Sequence, residues 1–563
     1  MEYKPLPIGI DNFEMLVNRG YYFIDKTLLI KDLLDNRASV NLFTRPRRFG
    51  KTLNMSMLQY FFEDSRDQFD GSRQDNSYLF EGLNIMKSGE KYTSHSGKYP
   101  VINLSLKSAK QPTFERALEE LKKQISDEYS RHKFILEDKR LEDKRQRYLK
   151  ILNVDGTISD YSDSIKFLSQ CLEIYYKKKV IILIDEYDVP LENAFFEGFY
   201  NEMISFLRSI FESALKTNAS LEFAVITGCL RISKESIFTG LNNLNIISIL
   251  NDRYAEYFGF SNEDVMEICR YYKMPEKYGV IKEWYNGYIF GEENIYNPWS
   301  VIKYVDDLRA NINKYPSSYW ANTSSNSIVK SLIERADDET KSEIEALIEG
   351  ENIEKPVHED ITYDEVYENM DNLYNFMFFT GYFKKVSERM EDEIRYIKFT
   401  IPNKEVTYIF KTKILKWFDH TIKMRDFTKM YEAVIDKKVE VFEDELASIL
   451  LETISFNDAY ENFYHGFVTG VLSNMKGYIV KSNRESGNGR SDIFIKPVSR
   501  RKRAVILELK VAKTFDELDK RADDALIQIE EKKYEMELID DGYKDIIKYG
   551  ISFFKKDCLV KTK

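Results

Sequence analysis

Cysteine and histidine are scarce in this chain: four and five among 563 residues. Cys171, Cys229, Cys269 and Cys558 stand far apart with no C-x-x-C pair, and the histidines are equally scattered, which argues against a zinc centre or a disulfide frame. With 24 glycines and 12 prolines there is little room for long disordered tracts. No apolar run exceeds the length of a strand; Val180 to Ile184 is typical. The N-terminal Met1-Glu2-Tyr3-Lys4-Pro5 lacks the basic start and apolar core of a secretion signal, so the expectation is a cytoplasmic protein with no membrane partner. The net charge of -11 argues against a chain that coats nucleic acid over its whole surface, though charge is local and calls for a regional count.

What the chain does have is aromatic mass, 38 Tyr and 37 Phe, best read as core filling. Its length calls for about three domains rather than one core. The reading is an α/β protein: an N-terminal P-loop NTPase domain at 1–260 with a parallel sheet covered by helices on both faces, a mainly helical middle at 261–455, and a C-terminal α/β restriction-endonuclease-like domain at 456–563. Strands expected at 99–106, 180–184 and 221–228 alternate with helical runs, including Phe114 to Lys150, as a parallel sheet requires. The middle carries an acidic helical stretch from Glu334 to Glu354, and the tail reads helix (Phe515 to Met536) then strand (Lys548 to Phe554).

Two stretches carry chemistry. In Arg45-Pro46-Arg47-Arg48-Phe49-Gly50-Lys51-Thr52, a strand passes through a loop into an amphipathic helix. Consecutive backbone N–H groups at a helix start attract phosphate. Lys51 is placed to reach the β- and γ-phosphates, and Thr52 to hold Mg²⁺. Arg45 stands in the slot of the first glycine, so the match alone is no better than a basic surface turn. Downstream, Val180 to Ile184 delivers Asp185 and Glu186 at a strand end, where parallel sheets bind ligands. Asp185 suits the Mg²⁺ shell and Glu186 the polarisation of water. Thr227 ends the next strand as a candidate γ-phosphate sensor, with Arg231 beyond it either sensing charge or pairing on the surface. Arg47 and Arg48 flank the loop, free to contact phosphates or to pair with acids of the sheet.

The segments "LPIGIDNFEMLVNRGYYFIDKTLLIKDLL", "FTRPRRFGKT", "LIDEYDVPL", "TGCLRISKESIFTGLNNL", "WYNGYIFG" and "YNPWSVIKY", in order from Leu6 to Tyr304, resemble the AAA-ATPase-like family of bacterial and archaeal proteins. Members typically carry a C-terminal PD-(D/E)xK nuclease-like domain. The resemblance implies ATP binding through Arg47, Phe49, Gly50, Lys51, Thr52, Asp185 and Thr227. It also marks Arg45 as a family trait, because the family's loop reads R-P-R-R-F-G-K-[ST]. ATPases of this kind often complete a site with a neighbour's arginine, which puts a homo-oligomer among the expected partners.

In the tail, Asp492 opens a strand after a glycine turn, and Glu508 and Lys510 lie two apart on the next strand, on one face. Two carboxylates suit Mg²⁺ or Mn²⁺ as hard oxygen ligands, with the Leu509 carbonyl as a third, and a lysine orients water. Charged residues within the apolar run Val505 to Leu509 are costly unless used. Gln528 and Tyr534 resemble the Q-x(n)-Y element of this nuclease class, and Glu461 its upstream acid. From Lys476 to Lys513 eleven Lys/Arg face three acids, and Arg500, Arg501, Lys502 and Arg503 form the hairpin tip, a candidate nucleic-acid contact. Three functions fit: an ATP-driven or ATP-regulated metal nuclease acting on DNA; a nucleotide-dependent switch or scaffold whose tail binds nucleic acid without cutting; and an interaction protein with both sites silent.

Overall fold

Val40–Thr44 (β1) and Val180–Asp185 (β3) bury every side chain, as strands covered on both faces do. With Val101–Ser105 (β2), Leu221–Gly228 (β4) and Leu244–Ile247 (β5) they form a five-stranded sheet in the order β2-β3-β4-β1-β5, parallel throughout. The crossovers from β1 to β2, β2 to β3 and β3 to β4 carry helices, and because the strands run parallel, the ends that follow β1, β3 and β4 share one edge, the edge on which α/β ligands sit.

The computed structural model describes residues 3–230, 237–238, 243–320, 338–359, 370–412, 427–453, 461–473, 475–486 and 489–563; the side chains of 338–339, 341–342, 370, 451–453, 461–463, 466, 482–486 and 489–492 also lie outside the description. The chain divides into two compact units, 1–336 with 347–410, and 337–346 with 411–563. Among the described residues no helix is long and apolar enough to cross a membrane.

Two helical expectations are corrected. The run from Phe114 is helix only to Arg131; tight 3₁₀ turns follow, and helix resumes at Arg145. Phe134, Ile135 and Leu136 are all buried, and three consecutive apolar residues cannot share one helix face. The acidic run gives a helix over Asp338–Ile348 that ends before Gly350, whose φ of 96° continues no helix. Ile353–Val357 (β8) then pairs at the edge of an antiparallel sheet in the order β8-β10-β9, with Lys384–Glu391 as β9 and Ile394–Thr400 as β10. Pro356 is tolerated because β8 is an edge. A hairpin, Tyr288–Phe290 (β6) with Glu293–Ile295 (β7), also belongs to the first unit.

The second unit is a mixed sheet in the order β11-β12-β13-β14-β15: Tyr478–Ser486, Gly489–Pro497, Ala504–Val511, Ile546–Phe554 and Asp557–Thr562. Only β13 and β14 pair in parallel. On β13 the period of two sorts the faces. Val505, Leu507 and Leu509 enter the large core with the helices Thr428–Asp436, Val439–Thr453 and Glu461–Leu472. Ala504 and Ile506 enter a smaller core with Ile529, Tyr534 and Leu538. Glu508 and Lys510 continue that second face, towards the helix Leu518–Glu531.

Candidate functional site

At the end of β1 the chain turns through Arg45 to Gly50 into the helix Lys51–Phe62. Gly50 caps that helix at φ 79°, a conformation that favours glycine, and no atom crowds its Cβ direction. The Arg45 guanidinium has no solvent exposure. Its Nη1 donates to the carbonyls of Thr44 and Ile247 at 3.0 Å each, which ties the ends of β1 and β5 together. Phe258 and Phe290 flank it, with ring centroids 5.4 and 5.1 Å away. Burial pushes the group down to about 9. Arg45 is thus a strut beneath the loop, not a phosphate ligand.

Lys51 is buried, and its Nζ donates to the carbonyls of Arg45 (2.8 Å) and Pro46 (2.9 Å), with the Cys229 Sγ at 3.6 Å. Burial pushes the Cys229 thiol up to about 11. Thr52 Oγ1 donates to Asp185 Oδ2 at 2.7 Å, and Thr227 Oγ1 donates to the other carboxylate oxygen. Asp185, which ends β3, therefore stands between the loop helix and the end of β4. Thr227 is fully buried, so its hydroxyl orients Asp185 and does not face open space.

Glu186 adopts a left-handed conformation with φ 54°. Burial, and after it the neighbouring Asp185, raises its pKa. Phe49 packs its ring against Tyr288 and Phe290, leaving only its backbone to the loop. Arg47 pairs with Glu192 on the helix Val189–Glu197. Arg48, at φ 73°, lays its guanidinium over Trp299 at 4.5 Å; burial lowers its pKa. Arg231 lies outside the described residues.

Asp188 is a site residue not singled out from the sequence. Its Oδ2 accepts the backbone N–H groups of Cys229 (2.6 Å) and Leu230 (3.1 Å), binding the chain after β3 to the chain after β4. A Cβ on Gly228 would stand 2.4 Å from the Tyr187 ring and 2.9 Å from Asp188 Oδ1, so this approach needs glycine. The acids at both ends of Asp185-Glu186-Tyr187-Asp188 were the available signal. Lys51, Thr52, Glu186, Asp188, Lys107 and Lys110 line a cavity of about 760 Å³, within the size range of small-molecule sites.

In the second unit, Glu508 is buried, and its Oε1 accepts from Lys510 Nζ at 3.2 Å and from Gln528 Nε2. Gln528 also meets the hydroxyl of the buried Tyr534 at 3.1 Å. Ile493 pairs with Leu507, which puts the backbone of Asp492 in register next to that of Glu508. The side chains of Asp492 and Glu461 lie outside the described residues. Among the described residues no group of three or more His, Cys, Asp or Glu gathers as a metal cage. The oxygen donors of Thr52 and Asp185 suit a hard cation such as Mg²⁺, and so does the Glu508 carboxylate.

The basic excess is partly neutralised by acids of the same unit, one pair buried and one on the surface. Lys496 is buried between Glu537 and Asp541, at 2.5 and 2.8 Å, and Arg503 pairs with Asp545 at 2.9 Å. Arg500, Arg501 and Lys502 are exposed at the tip between β12 and β13.

Residues 7–238 match a family model described as "Predicted AAA-ATPase", and residues 459–563 match that of the PD-(D/E)XK nuclease superfamily. A protein of Azotobacter chroococcum mcd 1, described as "Uncharacterized protein in vnfD 5'region", is 28% identical over 312 residues, which are 54% of this chain and 52% of that protein. The chain therefore matches about half the length of this relative.

Proposed function

From an AAA-ATPase-like domain over residues 7–238 and a PD-(D/E)XK nuclease-superfamily domain over residues 459–563, we propose a protein that binds and hydrolyses ATP in the first and cuts DNA phosphodiesters in the second. The observation that carries the first half is the bonded set Thr52, Asp185 and Thr227 beside Lys51 at the cavity. Lys51 trades its two loop carbonyls for the β- and γ-phosphates. Glu186 orients the attacking water and takes its proton, a task helped by the upward shift that burial gives its carboxyl. Mg²⁺, when bound, supplies Lewis-acid charge; Thr52 and Asp185 would hold it in the first domain, and Asp492, Glu508 and the Leu509 carbonyl in the second.

For the second domain, the support is Glu508 bonded to both Lys510 and Gln528 on the polar continuation of a core strand. Lys510 steadies the attacking water, while Arg500, Arg501 and Lys502 offer charge to the phosphate backbone. The domain boundaries 1–260, 261–455 and 456–563 remain the functional division we favour. The second reading, a nucleotide-dependent scaffold that binds DNA without cutting it, shares the first site and differs only here. A nuclease assay on duplex and single-stranded DNA, with Mg²⁺ or Mn²⁺ and with or without ATP, separates the two. Cutting that Asp492→Ala abolishes supports the nuclease; binding without cutting supports the scaffold. Cutting by Asp492→Ala at the wild-type rate would refute the assigned residues.

A further inference from the structure

The cavity does not stop at the phosphate loop. Besides Lys51, Thr52 and Glu186 its lining includes the apolar Ile10, Phe23, Ile24, Phe260 and Trp299, with Asp11 and Lys26 among them in the chain. These apolar residues come from three segments far apart in the chain, Leu6 to Ile24, Phe258 to Phe260 and Tyr296 to Trp299, and the phosphate chemistry uses none of them. A triphosphate calls on the charged part of this lining alone. The apolar end has the character that a flat, weakly polar ring system needs.

Trp299 is held firmly. Asn297 is fully buried at the N-cap of the helix Pro298–Ala310, and its Oδ1 accepts the backbone N–H of Trp299 at 3.0 Å. Ser300, the next residue, donates to the buried carboxylate of Glu405 at 2.8 Å. Arg48 covers this indole at 4.5 Å, and among the described residues its guanidinium makes no ion pair. A planar cation laid on an aromatic face, with the Glu186 carboxylate as its favourable opposite charge and two residues from Gly50, is poised to leave that face when a stronger anion arrives.

We propose that the apolar end is a purine subsite of this cavity, with Trp299 as its stacking wall and Arg48 as a latch that leaves the indole for the phosphates when nucleotide enters. This rests on the nucleotide reading above. The base takes the face that the guanidinium now covers, since 4.5 Å leaves no room for a ring between them. A bicyclic purine stacks over more of the indole than a pyrimidine does, so purine triphosphates are preferred.

The test is equilibrium binding of ATP, CTP and inorganic tripolyphosphate to the full chain. Wild type binds ATP more tightly than CTP. Trp299→Leu weakens ATP by about tenfold or more, the scale of one lost base stack, and leaves tripolyphosphate within about twofold; Trp299→Phe retains most of the ATP affinity. Arg48→Gln weakens tripolyphosphate as well as ATP. If Trp299→Leu fails to fold, Ile24→Gln on another wall is read in the same way. Equal losses for ATP and tripolyphosphate, or no loss for either, overturn the subsite. Lys51→Ala distinguishes this failure from that of the parent reading: it weakens both ligands if the loop binds phosphate, and unchanged affinity for both refutes the nucleotide site itself.

Discussion

Replacing Glu405 with glutamine should remove a pH dependence from the stability of the first unit. Glu405 is fully buried; it accepts from the Ser300 hydroxyl at 2.8 and 3.0 Å and from the Trp320 backbone N–H at 2.8 Å. Burial outweighs these donors and pushes the carboxyl from 4.5 up to about 7. Between those values the folded chain holds a proton that the unfolded chain has released, so unfolding becomes easier as pH rises. The stability is whole below about 4.5 and is lost as pH climbs through about 7. A shift of this size corresponds to about 3 kcal/mol, at about 1.4 kcal/mol per pH unit. The assay is urea unfolding of wild type and Glu405→Gln from pH 4.5 to 8, followed by tryptophan emission, to which Trp284, Trp299 and Trp320 of this unit contribute. The glutamine amide can add a constant offset, so the informative quantity is the difference curve. It should move by about 3 kcal/mol in favour of the variant from the acid to the alkaline end. A flat difference curve would refute the buried-carboxylate argument.

Removing Arg45 should destabilise the same unit: Arg45→Ala strips two carbonyls of their donor and empties the space between Phe258 and Phe290, a loss of about 3 kcal/mol or more in chemical denaturation. Gly228→Ala forces a methyl into the Tyr187 ring, and a cost of about 1–3 kcal/mol should appear in the same measurement. Glu186→Gln should keep ATP binding and lose hydrolysis by about a hundredfold or more; wild-type turnover should rise with pH as this raised acid ionises, and a pH-independent rate would argue against Glu186 as the base. Gln528→Ala leaves Glu508 and Tyr534 without their shared partner, and nuclease turnover should fall while DNA binding, read by a mobility shift, holds.

What could be read from residue order follows a physical line. The parallel sheet is legible because strands buried on both faces are continuous apolar runs, as Val180 to Ile184 is. Glu508 and Lys510 share a face because the strand period of two is local. Arg45 was not legible as a strut: an arginine in a loop suggests solvent or phosphate, and only the meeting of β1, β5, Phe258 and Phe290 provides a place to bury it. The apolar end of the cavity escaped for the same reason, since Ile10, Phe260 and Trp299 are unremarkable until folding brings them together. The break after Arg131 was missed because charge-rich flanks hid three consecutive core residues.

Arg45 also bears on how such loops are recognised. A search by letters treats the first glycine as essential and scores its absence as decay. Here an arginine anchored on two strand ends fixes the root of the loop before any ligand arrives, so its ordering entropy is spent during folding and not on capture. Arg45→Gly would repair the spelling of the motif while removing the beam that supports it.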